Sequence, residues 1–422
     1  MGVRISDEEL EGKVVAGVDT HADTHWLCVL DDARRVILSE EFPADAQGYA
    51  DLCEAIGDPG GCAAVGVEGT QSYGAGLVDE LTRRGFRVLE VLRPKRDDKR
   101  RRGEGKDDGI DAERAARDVV AGKVTSVPKL RGGWVDDVRS LLVARNHAVK
   151  GTVENSAAAE SLLMTAPEDV RADWRGLSRD KIMAKALGME EDGASALMLS
   201  LRSLAELWDL DRRKADELEA RIEALLREHC PAILRVYGCG VVSGAEFVVS
   251  AGENPGRFKS EAAFAKHCGA APIPASSGKT SGRMRLNRGG DRTANKALHQ
   301  ITLTRMAHDD ETKAYVERRT SGKNPLSKAE VMRCLKRYAS REVYWALKHP
   351  FGDPAARRGE TSGQELKEAR LLAGLTQREA AAQVGISAST LSKIETGKLS
   401  GRSKAAKRYA AWVKDGMPVD VA

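Results

Sequence analysis

The segment KVVAGVDT at residues 13–20 decides the fold of the N-terminal part of the chain. It is an apolar run that ends at Asp19, and two more strand-like segments, 26–30 and 35–42, follow it after tight turns. This spacing predicts three antiparallel strands. The remaining segments alternate in type, with helices at 46–56, 73–84 and 109–121 and strands at 63–67 and 86–92. The order βββαβαβα predicts a mixed sheet with helices on its faces.

This is the element order of an α/β RNase H-like (RuvC-like) domain, in which the first and fourth strands are neighbours. Asp19 follows the first strand and Glu68 follows the fourth. Asp108 and Asp111 begin the last helix, and their i, i+3 spacing puts both carboxylates on one face. Carboxylates that converge repel one another unless a divalent cation is present, and Mg²⁺ takes oxygen ligands. The pattern predicts a site for Mg²⁺ or Mn²⁺, although the two helix acids taken singly also suit a helix N-terminus.

Two histidines lie close to Asp19 in the sequence. His21, Asp23 and His25 suggest a metal-binding cluster, but the segment 20–25 is more typical of a hairpin tip with solvated polar residues. We therefore do not predict that they bind metal.

Composition restricts the classes of protein. The chain has 422 residues, of which 41% are hydrophobic and 5% aromatic, so it is long enough for two to four domains and is not wholly disordered. It contains neither an apolar run of membrane-spanning length nor a secretory h-region. The seven cysteines form no C-x-x-C pair, which predicts free thiols in a reducing cytoplasm.

The charge distribution indicates a polyanionic partner. Residues 1–92 carry 7 basic and 18 acidic side chains, whereas basic side chains dominate three later clusters at 93–106, 279–296 and 313–348. Three such clusters favour nucleic-acid binding over ordinary solvated surface charge. The first cluster includes Arg100, Arg101 and Arg102, which we predict to bind nucleic acid.

The middle of the chain, residues 131–230, is predicted to be helical. Apolar positions recur with 4-3 spacing from Leu204 to Leu225, and only Asp211 interrupts them. About three heptads predict a coiled coil, within one chain or between chains, and an ordinary amphipathic helix fits the same pattern.

The next segment, 231–348, is predicted to be mainly helical and carries a possible nucleophile. Gly238 and Gly240 stand in a turn that resembles a helix-hairpin-helix, where backbone N–H groups can approach phosphate. The string Gly278-Lys279-Thr280 resembles a P-loop, but Ile273 stands where that motif needs glycine. The alternatives for the preceding serine pair are a nucleophile beside arginines and a phosphate contact in a flexible loop. The basic residues predicted to contact nucleic acid here are Lys279, Arg283, Arg285, Arg288 and Arg292.

A helix-turn-helix is predicted at 363–415, after a Pro/Gly-bearing linker at 349–362. Thr376 begins a capping box, residues 385–386 form the turn, and Ser387 caps the third helix. The third helix of such a motif reads the DNA major groove. The residues predicted to contact DNA are Gln377, Ser387, Ser389, Thr390 and Lys393.

Residues 13–348 resemble the DEDD insertion-sequence transposases of the IS one-ten family, the bridge-RNA-guided recombinases. The strings that carry the resemblance include GVDTHADTHW, VGVEGTQSYGAGL, KDDGIDAERAA, AAPIPASSGKT and LNRGGDRTANKALHQI. The resemblance implies that the DEDD tetrad is Asp19, Glu68, Asp108 and Asp111. It also implies a nucleophilic serine, assigned to Ser277 with Ser276 as the alternative register. The appended helix-turn-helix, which is similar to those of Xre-like repressors, departs from the core of the family.

The resemblance further implies the chemistry and the partners. The RuvC-like domain (1–130) would hold the metal, and the transposase domain (231–348) would supply the serine that forms a covalent link to DNA. Expected partners are double-stranded DNA at element ends and target, a structured guide RNA and further copies of the chain as a dimer or tetramer, in the bacterial cytoplasm near the nucleoid. The alternatives are a metal-dependent nuclease or junction resolvase without a covalent intermediate, and a DNA-binding regulator with an inactive transposase half.

Overall fold

The structure is a computed structural model of the chain. It describes residues 5–92, 108–124, 126–190, 192, 194–274, 284–286, 289–321, 325–353, 363–396, 399 and 403–414. The chain divides into two compact units. The first comprises Met1–Gly133 with Ala251–Arg257, and the second comprises Trp134–Ser250 with Phe258–Ala422. The finer division into five segments remains a prediction.

A five-stranded sheet forms the first unit. Its strands are β1 (Val14–Thr20), β2 (Thr24–Leu30), β3 (Val36–Pro43), β4 (Cys62–Glu68) and β5 (Val88–Val91). Their spatial order is β3-β2-β1-β4-β5. The first three strands pair antiparallel, whereas β4 pairs parallel with β1 and with β5. The predicted mixed sheet and the contact between the first and fourth strands are confirmed.

Helices cover both faces of this sheet, as the element order predicts. The helices of the unit are α1 (Asp7–Leu10), α2 (Ala46–Ile56), α3 (Ala75–Arg83) and α4 (Asp108–Val120). Side chains alternate between the faces along each strand. Val18 therefore packs with α2 and α3, while the nearby Val15 packs with α4 on the opposite face. This arrangement brings the start of α4 to the carboxyl end of β1.

Two long helices, α5 (Gly133–Met164) and α8 (Ala196–His229), pair in the second unit. Arg145 lies 2.9 Å from Glu219, and Asn155 donates a 3.2 Å hydrogen bond to Asp211, so the two helices run antiparallel. The shorter helices α6 (Glu168–Ala172) and α7 (Arg179–Leu187) connect them. The predicted heptad positions of α8 are all buried or half-buried, and the described pairing lies within one chain.

Asp211, which interrupts the heptad pattern, has a partner in the opposite helix. A Cβ atom at position 151 would lie 2.1 Å from Asp211 Oδ2, and Gly151 leaves that space free. The glycine and Asn155 thus accommodate the polar residue in the seam between the helices.

The remaining helices of the second unit are short to medium in length. Between the long pair and the linker they are α9 (Pro231–Leu234), α10 (Val241–Ala251), α11 (Glu261–His267), α12 (Arg292–His308), α13 (Asp310–Thr320) and α14 (Lys328–Lys348). A two-stranded ribbon of β6 (Pro272–Pro274) and β7 (Met284–Leu286) lies among them. Buried Arg305 pairs with Glu342, which ties α12 to α14.

Four helices build the C-terminal module. They are α15 (Gly363–Leu372), α16 (Gln377–Val384), α17 (Ala388–Glu395) and α18 (Lys404–Lys414). The predicted capping box of Thr376 with Glu379 is present, and Gly385 adopts a left-handed conformation with φ of 71° in the turn. Ser387 caps α17 as predicted. Within the part of the chain that the structure describes, no helix has the length and apolar character needed to cross a membrane.

Candidate active site

The first two acids of the tetrad lie on neighbouring strands. Val18 of β1 is in register with Val67 of β4 in the parallel pair, so Asp19 and Glu68 stand next to each other along the same sheet edge. Both are buried, at 5% and 6% exposure. The strands extend further than the apolar runs predict, because Asp19 still pairs with Trp26 of β2. The acids therefore belong to the strands rather than to the loops that follow them.

Close packing of α4 on the sheet brings in the other two acids. Gly17 and Gly66 are paired in the sheet, and both lie under α4. A Cβ atom at Gly17 would lie 2.3 Å from the backbone of Ala112 and Ala116. The absence of a side chain thus lets the helix contact the strand directly, and the first turn of α4 carries Asp108 and Asp111 to the sheet edge.

Burial and the charged groups of this cluster change the pKa of Asp19. Burial raises the pKa of its carboxyl above the ordinary value of 3.8. His21 opposes that rise in pKa, whereas the negative charges of Asp111 and Asp108 add to it. A cation bound here would offset both the desolvation and the repulsion, since it favours the ionised form of each carboxyl.

His21 lies against two of the acids, contrary to the interpretation of its segment as a solvated hairpin tip. Its Nε2 atom lies 3.3 Å from Asp19 Oδ2 and 3.2 Å from Asp108 Oδ1. His25 also departs from that interpretation, because it is fully buried in β2 and stacks on Tyr49 with ring centroids 5.5 Å apart. Contacts with residues distant in the sequence, Tyr49 for His25 and Asp108 for His21, thus cover side chains of this segment, whereas Asp23 is exposed as expected.

Arg114 belongs to the site, although the sequence motifs do not predict it. It donates a 2.6 Å hydrogen bond to Glu68 Oε2, and its guanidinium lies 3.1 Å from Asp111 Oδ1. The signal that could have identified it was its position three residues after Asp111, one turn along the same helix face. Arg114 therefore joins the strand acid to the helix acid.

The residues of this site fit a divalent cation. Ligand atoms of Asp19, His21 and Asp108 all lie within 4.8 Å of one another. Nε2 of His21 is buried and lies within ion-pair distance of both carboxylates. Carboxylate oxygens, and an imidazole nitrogen in its neutral form, are groups that bind divalent cations. The set of donors thus fits a divalent cation at the predicted site.

The serine pair and most of the arginines near it lie outside the described residues. This applies to Ser276, Ser277, Lys279, Arg283 and Arg288, and to the side chain of Arg285. Arg100, Arg101 and Arg102 also lie outside. Arg292 is described, and it is exposed at the start of α12.

Ser250, His267 and Asp291 form a compact polar cluster. Its members lie on both sides, in the sequence, of the segment that contains the serine pair. Ser250 donates a 2.6 Å hydrogen bond to Asp291, and its oxygen lies 2.9 Å from His267 Nε2. The backbone N–H of Asp291 also donates to the carbonyl of His267 at 2.7 Å. Asp291 caps α12 as well, so these contacts fix the end of α11 against the start of α12.

The two glycines of the helix-hairpin-helix-like turn differ in their surroundings. Gly238 has φ of 81° and packs against the backbone of α12, where a Cβ atom would lie 3.2 Å from Ile301 O. Gly240 has open space around it, since a Cβ atom there would meet no atom of the described residues within 4 Å. The backbone at Gly240 is therefore the more accessible part of this turn.

The helix-turn-helix presents part of the predicted DNA-contacting set. Ser389 and Lys393 are exposed on α17, while Ser387 and Thr390 hydrogen-bond each other at 2.8 Å. Gln377 donates a 2.9 Å hydrogen bond to Glu395. Its side-chain nitrogen is therefore engaged within the module, and the predicted phosphate contact of Gln377 remains a prediction.

Buried charges hold the helix-turn-helix together. Burial alone would raise the pKa of Glu395, but hydrogen bonds from Arg370, Gln377 and Tyr409 outweigh it and lower the pKa below its ordinary value of 4.5. The Arg370–Glu395 pair is nearly inaccessible to solvent, with side chains 5% and 1% exposed. It links the first helix of the module to its third.

Comparisons with known proteins agree with these features. The family described as Transposase IS116/IS110/IS902 matches residues 230–317, and a DEDD transposase model of the IS110 type matches residues 16–166. A helix-turn-helix family matches residues 366–402. The four acids fall within the DEDD transposase match at residues 16–166.

Two curated relatives are proteins of insertion elements. The chain is 28% identical over 369 residues to the uncharacterized 42 kDa protein of insertion element IS900 from Mycobacterium paratuberculosis. The aligned region covers 74% of this chain and 90% of that protein. The chain is also 31% identical over 134 residues to the uncharacterized 43.6 kDa protein of insertion element IS110 from Streptomyces coelicolor. This aligned region covers 31% of this chain and 33% of that protein. The chain belongs to the IS110 family of DEDD insertion-sequence transposases, and it carries a helix-turn-helix in addition.

Proposed function

We propose that the protein cuts and rejoins DNA through a covalent serine–DNA intermediate, with a divalent cation held by Asp19, Glu68, Asp108 and Asp111. The observation that carries this proposal is the convergence of four acids from two strands and a helix at one sheet edge. Bound Mg²⁺ or Mn²⁺ would supply charge neutralisation at a scissile phosphate. The acids would hold the cation in position against that phosphate, and the burial of Asp19 and Glu68 limits the access of water.

The covalent step belongs to Ser277. Its Oγ forms a bond to phosphorus and loses its proton, while the bond from phosphorus to the 3′-oxygen breaks and that oxygen leaves as a 3′-hydroxyl. Strand exchange reverses this step with a different 3′-hydroxyl. Support comes from the position of Ser277 within the segment that matches the transposase family at 230–317. Nearby arginines, including Arg292, would stabilise charge on the phosphorane.

Sequence choice comes from a guide RNA in this proposal, and further copies of the chain complete the recombining complex. The basic clusters at 93–106 and 313–348 supply the charge that binding of phosphate backbones requires. Gly238 and Gly240 add backbone contacts to phosphate. The helix-turn-helix binds duplex DNA through Ser389, Thr390 and Lys393 and holds the protein on the chromosome in the bacterial cytoplasm.

A covalent-trapping assay tests this proposal. The protein with its co-purifying RNA is incubated with labelled DNA from the element ends and Mg²⁺, and the products are separated on a denaturing gel. We expect a protease-sensitive shifted band that is lost in both Ser277→Ala and Asp19→Ala. Ser276→Ala is the matched control and keeps the band, because it removes the neighbouring hydroxyl only.

Other outcomes lead to different conclusions. Cleavage that survives Ser277→Ala without any adduct would identify a hydrolytic nuclease, in which the acids act alone. Loss of the band in Ser276→Ala, with its retention in Ser277→Ala, would move the nucleophile by one residue. Sequence-specific DNA binding with no cleavage under any condition would indicate a regulator.

A further inference from the structure

The two ends of the segment 268–290, which carries the serine pair, are in direct backbone contact. The backbone N–H of Asp291 donates a 2.7 Å hydrogen bond to the carbonyl of His267. A Cβ atom at Gly290 would lie 2.3 Å from the backbone nitrogen of Gly269, so only a glycine fits at that crossing. We call this contact between the two ends the ribbon base.

The two-stranded ribbon lies between the ribbon base and the serine pair. Strands β6 and β7 pair antiparallel, and the pair formed by Pro274 and Met284 is the last in their register. Ser276 and Ser277 lie in the sequence between these two residues. Joining the ends of a segment removes conformational freedom from the residues between them. The ribbon base therefore restricts the positions that the serine pair can reach.

Ser250, from α10, holds both ends of the segment. Its Oγ donates a 2.6 Å hydrogen bond to Asp291 Oδ2 and lies 2.9 Å from His267 Nε2. The other carboxylate oxygen of Asp291 accepts hydrogen bonds from the backbone N–H groups of Thr293 and Ala294. Burial raises the pKa of Asp291, but the hydrogen bonds from Ser250 and these backbone groups outweigh it and lower the pKa below 3.8. An ionised Asp291 thus joins Ser250 to the start of α12.

A second polar chain fixes the ribbon base to α14. The side-chain nitrogen of Asn295 donates a 2.7 Å hydrogen bond to the carbonyl of Cys268. Lys336 in turn donates a 2.8 Å hydrogen bond to the side-chain oxygen of Asn295. The base is therefore held from α10, α12 and α14.

The cluster contains the residue types of a serine hydrolase triad, but its contacts are arranged differently. In a triad, histidine lies between serine and the carboxylate and contacts them with its two different ring nitrogens. Here Asp291 Oδ2 accepts directly from Ser250 and lies 3.7 Å from the same Nε2 atom of His267. Ser250 is also only 6% exposed. This arrangement suits a residue that holds the backbone in place and does not suit a nucleophile.

We propose that Ser250, through His267 and Asp291, is a positioning residue for the covalent step assigned to Ser277. This inference rests on that proposed step. A hydroxyl that attacks phosphorus has to approach within about 3–3.5 Å with its lone pair aligned, so a small displacement is costly. Ser250 is buried and acts on the ends of the segment, so it affects the rate of the covalent step and not the affinity for DNA.

Single-turnover adduct formation tests the inference. The full chain with its co-purifying RNA is mixed with saturating labelled element-end DNA and Mg²⁺, and the Kd for the same DNA is measured without Mg²⁺. Ser250→Ala should slow adduct formation by about 10- to 100-fold, since a displacement of about 1 Å in a reacting group costs roughly 100-fold. The Kd should keep its wild-type value.

Hydrogen exchange of the Asp291 amide measures the ribbon base without any reaction. Its hydrogen bond to the carbonyl of His267 protects this amide, so exchange should be faster in Ser250→Ala. Gly290→Ala opens the same base from the opposite side and should slow adduct formation in the same way.

Ser243→Ala is the matched control. Ser243 is another buried serine of α10 and is not a member of the cluster. Its replacement removes the same hydroxyl from the same helix and should leave the adduct rate and the Asp291 exchange rate unchanged. Thermal unfolding of the variants defines a temperature at which all of them are folded for the comparison.

The possible results separate this inference from the proposed function. A wild-type adduct rate in Ser250→Ala, an equal loss in Ser243→Ala, or an unchanged exchange rate at Asp291 would overturn the inference. Weaker DNA binding by the same factor as the loss of rate would overturn it as well. Each of these results leaves the covalent role of Ser277 intact. Failure of the wild-type chain to form any adduct would refute both.

Discussion

Replacement of Gly17 by alanine tests whether direct contact between strand β1 and helix α4 assembles the acid cluster. A Cβ atom at Gly17 would lie 2.3 Å from backbone atoms of Ala112 and Ala116, whereas ordinary contacts begin at 3.4 Å. The helix therefore has to move from the sheet by about 1 Å, and overpacking of this kind costs about 1–3 kcal/mol of folding free energy. The two acids in its first turn move with it, away from Asp19.

The consequence for activity exceeds the consequence for stability. A displacement of about 1 Å in a catalytic group lowers the rate by roughly 100-fold. Metal-dependent DNA cleavage measures that loss, and thermal unfolding measures the loss of stability. Gly61→Ala is the control, since a Cβ atom at Gly61 meets nothing described within 4 Å. That change should shift stability by no more than about 0.5 kcal/mol. Wild-type cleavage and an unchanged unfolding temperature in Gly17→Ala would refute the reasoning.

Three more predictions concern other parts of the chain. Arg370→Ala should lower the folding free energy of the module by about 3–5 kcal/mol, because it removes the ion-pair partner of buried Glu395. Lys407→Ala, which breaks an exposed ion pair, should lower it by about 0–1 kcal/mol. Hydrogen exchange within 363–414 compares the two variants, and equal exchange rates would contradict the structural role of the buried pair. Because the pKa of Glu395 is lowered on folding, its contribution to stability is present above pH 4.5 and is lost as the pH falls below that value, which acid unfolding of the module measures. In native protein at pH 8, a thiol reagent should modify half-buried Cys334 before the six buried cysteines, and mass spectrometry of a partly labelled sample identifies the first site.

The arrangement of the sheet was largely predictable from the sequence. Apolar runs separated by turn residues mark the strands, and the alternation of helices and strands after β3 predicts their crossovers. The predicted ends of the strands were less accurate, because the hydrogen-bonded pairing of β1 with β2 continues through Asp19 and Thr20 after the apolar run stops. Pairing between strands is a tertiary property, so hydropathy along one segment does not reveal it.

The membership of the candidate site was only partly predictable. The acids stand out because they end apolar runs or begin a helix. The involvement of His21 depends on Asp108, which is 87 positions away in the chain and approaches only because Gly17 lets α4 pack closely. Arg114 carries a weak local signal through its spacing from Asp111, but its contact with Glu68 comes from the docking of the helix on β4.

The helix-turn-helix was the easiest part to predict, because caps and turns are local. Thr376, Gly385 and Ser387 act in the structure as their positions in the sequence predict. The hydrogen bond between Gln377 and Glu395 was not predictable in this way. It joins residues on different helices, whose approach depends on the packing of the whole module.

Asp211 occupies the space beside Gly151 and accepts a hydrogen bond from Asn155, which gives the pair of long helices a defined alignment. A heptad seam of apolar residues alone tolerates sliding by seven positions, since the same kinds of side chain then meet again. Sliding here would bring Asp211 against a residue with a side chain, which would clash with a carboxylate that now lies 2.1 Å from the Cβ position of residue 151. With α5 about 48 Å long at 1.5 Å per residue, the paired helices have the properties of a spacer with fixed length. Natural variants that lengthen one helix by a heptad should therefore lengthen the other by the same amount and keep a small residue opposite the acid.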